Sequence, residues 1–269
     1  TTYRNMGGNV ALGTDWLPSG SMNLLRELQC ARDYSDALLD SELSDHDLVG
    51  MVTWNAAHAA RMDDAIGHLR PGLVADIAIF DGSVHLDAAA VIDAAAPDVV
   101  LVLKAGVPMY GDAAVLEDLG VSPAECELLS ECLSSKRACV TREGASVGAT
   151  LANLTATFTS YPLIVCSNPP PDEPTCVPFR DEGDGIVFDG TPVAGDLDGD
   201  GVPDGADNCP AVFNPPRPVD AYLQGDAEGD GIGDACDRCP LDPGQTACFV
   251  LFADGFETGD TSAWTSVVP

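Results

Sequence analysis

Basic residues are scarce: 12 lysines and arginines stand against 43 aspartates and glutamates, a net charge of −31. Such a surface repels nucleic-acid phosphates and anionic membranes, so neither is expected as a partner, whereas cations are. Long apolar runs are also missing. No stretch approaches the about eighteen residues that a membrane span needs, so no span is expected, and no secretory leader is recognisable. The sequence starts at Thr1 without a methionine and enters almost directly on an apolar run. It is therefore expected to be a fragment or a processed chain of a protein that begins earlier, where any leader would lie. Paired zinc spacings are absent too. Cys236 and Cys239 make one Cys-x-x-Cys without a second pair, and His46, His58, His68 and His85 have no histidine partner three or four positions away. All four histidines are read as structural, and zinc is not expected at the cysteines.

What is present is unevenly distributed. The 269 residues are 45% hydrophobic, enough for one sizeable core and smaller modules. Residues 181–237 hold fifteen acids and one base, Arg217. The 10 cysteines are Cys30, then Cys126, Cys132, Cys139, Cys166 and Cys176, then Cys209, Cys236, Cys239 and Cys248. That density among proline and glycine favours an oxidising compartment, so a secreted, extracellular or periplasmic location is expected. Cys30 is either the partner of one of the middle five or a buried free thiol, with the thiol favoured. Sequence does not choose among the remaining connectivities, although Cys239 and Cys248 can close a small terminal loop.

The first part is organised around residues 9–28. Val10, Ala11 and Leu12 read as the end of a buried strand, Gly13 and Thr14 as its punctuation, and a helix is predicted over 21–39 with Ser19 or Ser21 as its cap. Strand, loop and helix then deliver one carboxylate, Asp15, at the end where α/β architectures mount their chemistry. The alternative is an aspartate that only bonds local backbone. Trp16 and Ser19 can line a pocket beside Asp15, or serve packing and capping. A second helix is predicted over 44–62, opened by a capping box of Ser44 and Asp47, with Met51 and Trp54 in the core. Residues 73–80 read as a strand, 99–103 and 107–110 as a hairpin, 122–125 as a helix start with Pro123 at its first position, and 150–165 as strand-like.

Two strings carry a resemblance: GTDWLPSGSMNLLREL, and LVGMVTWNAAHAARMDDAIGHLRPGLVADIAIFDG with Gly67, Leu69, Pro71, Gly72, Ala75 and Asp76. Over residues 9–112 the chain resembles the C-terminal third of the amidohydrolase superfamily, on the side of its cytosine-deaminase-like and chlorohydrolase-like members. The resemblance implies a mixed fold: the C-terminal fragment of a (β/α)8 barrel (1–70), part of a composite β-sandwich (71–112), a cysteine-containing extension (113–180), irregular calcium-loop repeats (181–248) and a tail (249–269). It implies a metal-dependent hydrolase acting on carbon–nitrogen, non-peptide bonds of a small cyclic amide, amidine or amine. A metal-bound water would attack, and Asp15 would face the metal and pass the proton to the leaving nitrogen. The ion would be Zn2+ or another divalent transition metal, held by histidines on strands before Thr1, so this chain is expected to be inactive alone.

The acidic segment has its own logic. Asp196, Asp198, Asp200, Asp204 and Asp207 take positions 1, 3, 5, 9 and 12 of a calcium loop, with Gly201 at the sharp turn and the Val202 carbonyl at position 7. Thirty residues later Asp226, Glu228, Asp230, Gly231, Ile232, Asp234 and Asp237 repeat the pattern, and Cys-Pro follows both loops. Ca2+ is the expected ion, supplying folding free energy that the few apolar residues here cannot. No amphipathic helices flank the loops, which excludes an EF-hand sensor. The segment resembles thrombospondin type 3 repeats, which implies a bridge from Cys209 to Cys236. That family's glutamine after Asn-Pro is replaced here by Pro216 and Arg217, and the acidic run near Asp220 is thin. Residues 252–264 resemble a short C-terminal tag of bacterial secreted proteins. Expected partners are a small-molecule substrate, calcium ions and a cell-surface or matrix component. A hydrolase carrying a calcium module is the first reading, and a calcium-dependent adhesion or spacer protein with a degenerate hydrolase part is the second.

Overall fold

The computed structural model describes residues 1–15, 20–129, 135–157, 173, 176, 180–181, 187–245 and 248. The chain divides into two compact units, one of 1–10, 33–43 and 176–269 and one of 11–32 and 44–175. The elements begin with α1 (Thr2–Asn5) and α2 (Leu24–Leu38), and the division falls inside α2. At the start of α2 the Asn23 Oδ1 accepts from the Arg26 amide at 3.1 Å. The cap is thus Asn23 and not Ser21, whose own amide donates to Glu27 Oε1.

In the unit of 11–32 and 44–175, α3 (Asp45–Val52) opens with the expected capping box: Ser44 Oγ accepts from the Asp47 amide, and Asp47 Oδ2 accepts from the Ser44 amide. The expected helix over 44–62 is broken in two. Thr53, at φ −123° and ψ −97°, donates its hydroxyl to Val49 O at 2.7 Å, and α4 (Trp54–Ala59) starts anew. A β-branched residue that bonds back to the preceding turn competes with helix continuation. Leu48 and Met51 are buried, and Leu48 is fully so at 0% exposure. Leu48→Ala should therefore cost about 2–5 kcal/mol of stability, read from denaturant unfolding.

β1 (Ile77–Phe80), α5 (Asp87–Ile92), β2 (Val99–Lys104), β3 (Val107–Asp112), α6 (Ala113–Asp118), β4 (Glu127–Leu128), β5 (Lys136–Ala138) and α7 (Val147–Thr157) follow. The strands form one open sheet in the order β1-β2-β3-β5-β4, every neighbour antiparallel. The β2–β3 hairpin turns on Ala105 and Gly106, both with positive φ (49° and 78°), the conformation a two-residue hairpin turn requires. Leu101, Leu116, Val121, Cys126 and Cys139 form its core, with Cys126 bonded to Cys139.

Several expectations are corrected. The described residues form an open antiparallel sheet and no barrel. Val10 to Leu12 are not a strand: Ala11 is exposed, and the Leu12 amide bonds Met51 O at 3.0 Å instead of a ladder partner. The strand-like reading of 150–165 gives way to α7 over its first half, where Ala149, Leu151, Ala152 and Leu154 favour a helix and Ser146 caps it through the Ala149 amide; 158–165 lie outside the described residues. Residues 123–125 form a single 3-10 turn capped by Ser122, not the first turn of an α-helix. Cys30 is disulfide-bonded and not a free thiol, as is Cys176. Cys132, Cys166, Trp16, Ser19 and the terminal tag fall outside the described residues.

Lys136 is 3% exposed, yet charged. Its Nζ donates to Val99 O at 3.0 Å and pairs with Asp112 at 2.7 Å, which ties β5 to the edges of β2 and β3. Removing a buried, charge-assisted donor leaves both oxygens short of a partner, so Lys136→Ala should cost about 1.5–3 kcal/mol in a thermal or denaturant melt.

The unit of 1–10, 33–43 and 176–269 has little regular structure. A two-strand ladder of β6 (Arg180–Asp181) and β7 (Val187–Phe188) precedes two acidic loops. Cys209–Cys236 and Cys239–Cys248 are the disulfides after the loops, the first as the resemblance implied.

Candidate functional site

The two acidic loops have one geometry, repeated at an offset of thirty residues. Asp196 Oδ1 accepts from the Gly199 amide at 2.8 Å and its Oδ2 from Gly201 at 3.0 Å; Asp226 receives Gly229 at 2.7 Å and Gly231 at 3.0 Å in the same way. Asp200 and Asp230 accept from Val202 and Ile232, both at 2.8 Å, and Asp204 and Asp234 from Leu197 and Ala227, also at 2.8 Å. Asp207 and Asp237 accept from Cys209 and Cys239 at 2.7 Å. Each first aspartate can receive two amides only because the chain doubles back at glycines with positive φ: Gly199 and Gly201 at 69° and 89°, Gly229 and Gly231 at 76° and 93°.

The remaining carboxylate oxygens point inward. Asp198 Oδ2, Asp207 Oδ2, both Glu228 oxygens and Asp237 Oδ2 are buried without a hydrogen-bond partner. Asp198, Asp200 and Asp237 are at most 2% exposed. Asp196, Asp198 and Asp200 bring carboxylate oxygens within 4.8 Å of one another, as do Asp226, Glu228 and Asp230. Burial, and then the neighbouring Asp200, push the Asp198 carboxyl up to about 7; burial also raises Asp200. Glu228 is pushed up to about 7, because it shares a proton with Asp237 and is partly buried. Buried like charges with orphaned oxygens and an all-oxygen donor set fit a hard divalent cation such as Ca2+.

Asp15 is placed differently. It is exposed, in the left-handed region at φ 56°, a conformation aspartate tolerates better than most residues. Among the described residues no His, Cys, Asp or Glu cluster forms around it. The donors expected around a catalytic transition metal are therefore not assembled at Asp15 by these residues.

Residues 1–110 match the model of the amidohydrolase family, and residues 194–217 match that of the thrombospondin type 3 repeat. An amidohydrolase-family segment is thus joined to a thrombospondin type 3 repeat. A stretch of 78 residues is 36% identical to a 5-methylthioadenosine/S-adenosylhomocysteine deaminase of Teredinibacter turnerae, covering 28% of this chain and 18% of that protein. The chain thus spans less than a fifth of the relative's length. No solved structure matches.

In the thrombospondin type 3 repeat the geometry brings in a residue that sequence reading missed. Gln224 Nε2 lies 2.8 Å from Asp200 Oδ2, 2.7 Å from Asp207 Oδ1 and 3.0 Å from Asn214 Oδ1. The glutamine sought directly after Asn214-Pro215 is displaced to 224 by the intervening turn of Pro218–Asp220. Gln245 does the same in the second loop, reaching Asp230 and Asp237 at 3.2 and 2.7 Å. In the amidohydrolase-family segment the histidines have structural neighbours. His46 and His68 lie against the Trp54 ring, 5.0 and 6.1 Å between centroids, while His58 faces Asp63 and His85 faces Asp93.

Proposed function

We propose that the chain is the C-terminal portion of a secreted, metal-dependent hydrolase of carbon–nitrogen, non-peptide bonds in a small cyclic amide, amidine or amine, and that its repeats bind calcium. The observation that carries the hydrolase reading is the amidohydrolase match over 1–110; the likeness to a deaminase supports it. Asp15 is assigned the proton transfer: its carboxylate takes the proton of the attacking water and returns it to the leaving nitrogen. It also faces the catalytic Zn2+ or related ion, whose histidine ligands belong to sequence outside this chain. That ion supplies Lewis acidity. Ca2+ is assigned to Asp196, Asp198, Asp200, Asp204 and Asp207 with the Val202 carbonyl, and to Asp226, Glu228, Asp230, Asp234 and Asp237 with the Ile232 carbonyl. Ten cysteines and the extracellular habit of such repeats support secretion.

The test is ammonia release by the complete protein, loaded with zinc, from 5-methylthioadenosine, S-adenosylhomocysteine, cytosine and simple cyclic amidines. Release from at least one is expected. A complete protein that holds stoichiometric zinc but turns over none of these would defeat the assignment. One observation favours a second reading, a calcium-dependent adhesion or spacer protein with a degenerate hydrolase part: both metal-capable clusters among the described residues lie in the repeats. A complete protein that copurifies with calcium and no transition metal would establish it.

A further inference from the structure

The family boundary and the packing boundary do not coincide. Residues 1–10 and 33–43 lie within the amidohydrolase-family match, yet they form one compact unit with the calcium-type loops. Their contacts fall on the loop backbone itself. Thr2 Oγ1 donates to Asp234 O at 2.9 Å and Asn5 Nδ2 to Asp237 O at 2.7 Å; Thr1 Oγ1 donates to Ala235 O. Asp234 and Asp237 are the ninth and twelfth positions of the second loop. At the first loop, Phe213 N donates to Leu38 O at 2.9 Å, Leu39 pairs with Val212 as a single antiparallel bridge, and Leu38, 4% exposed, fills the space that a side chain at Gly190 would take. The Cys209–Cys236 disulfide joins the two places.

We infer that calcium loading of the repeat is a folding switch for part of the amidohydrolase segment, ordering residues 1–10 and 33–43 through the carbonyls of Asp234 and Asp237 and the 212–213 backbone. The inference rests on the calcium reading above. Without a cation, the carboxylates buried at Asp198, Asp200, Glu228 and Asp237 repel one another and the loops open to water. The carbonyls that receive Thr2 and Asn5 are part of the same loop and lose their position with it, and the Leu38 side chain loses the wall at Gly190. The repeat then acts as a calcium-dependent buttress of the hydrolase part, and not as a separate spacer.

Hydrogen–deuterium exchange of this chain, with calcium and with EGTA plus magnesium, reads the switch directly. Calorimetry on the same samples measures calcium binding. The amides of Leu39, Ser41 and Leu43, which bond Ser35, and those of Asn5 to Gly8 should exchange at least about tenfold faster after chelation, while the β2–β3 hairpin keeps its protection. Thr2→Ala with Asn5→Ala should speed exchange over residues 1–10 while calcium binding is retained. Asp200→Asn with Asp230→Asn should reproduce the chelated pattern in calcium. If calcium binds and exchange over 1–10 and 33–43 is unchanged, the switch is refuted and the calcium sites stand. If no calcium binds, both fall. Loss of protection throughout, the hairpin included, overturns the switch as a local device.

Discussion

Chelation of calcium is expected to unfold the repeat over residues 187–245, seen as new proteolytic cleavage between the loops and a changed circular dichroism spectrum. The two loops hold ten carboxylates in ligand positions, and few apolar side chains stand nearby to offset the repulsion. Binding of an ion to the native state only contributes about 2.7 kcal/mol per site at a free concentration a hundredfold above the dissociation constant. Two sites would then exceed about 5 kcal/mol, the scale of a small domain's whole stability. Asp200→Ala should remove most of one site's share, because its carboxylate is fully buried and also receives the Val202 amide and Gln224. An unchanged spectrum and cleavage pattern after chelation would exclude calcium from these loops.

Asp15→Asn, made in the complete protein, should abolish turnover, a loss of a thousandfold or more on the order of what removal of an essential proton-transfer group produces. The substitution isolates the chemistry. Asparagine tolerates the left-handed backbone of φ 56° as aspartate does, so the loop is kept and only the charge and the proton acceptor are lost. The thermal melt and metal content should stay close to wild type. Turnover within a few-fold of wild type would remove Asp15 from the reaction.

Sequence reading succeeded where the determinants are local. The loop ligands are legible because aspartates and glycines at fixed spacing dictate both the turns and the inward oxygens, and the β2–β3 hairpin because Ala105-Gly106 sits between two apolar runs. It failed where tertiary partners decide. Apolar Val10 to Leu12 read as a strand, but a strand needs a neighbour, and the Leu12 amide found the end of α3 instead. The stop at Thr53 depends on one hydroxyl bonding back to Val49, which competes with an otherwise helical pattern. Gln224 was missed because its partners Asp200 and Asp207 lie 24 and 17 positions away across an inserted turn. Asp15 was singled out by its place before a helix and by resemblance, and neither its exposure nor its backbone conformation was visible in the sequence.

The interleaving of 1–10, 33–43 and 176–269 governs how this molecule can be dissected. A truncation drawn at the end of the family match, near residue 110, would strip Leu38 of its cover and strand the side chains of Thr2 and Asn5. A gene fragment beginning near residue 190 would leave the repeat with bare carbonyls at Asp234 and Asp237. Neither half is a natural cloning unit, and grafting this repeat onto another enzyme would require grafting its seat as well.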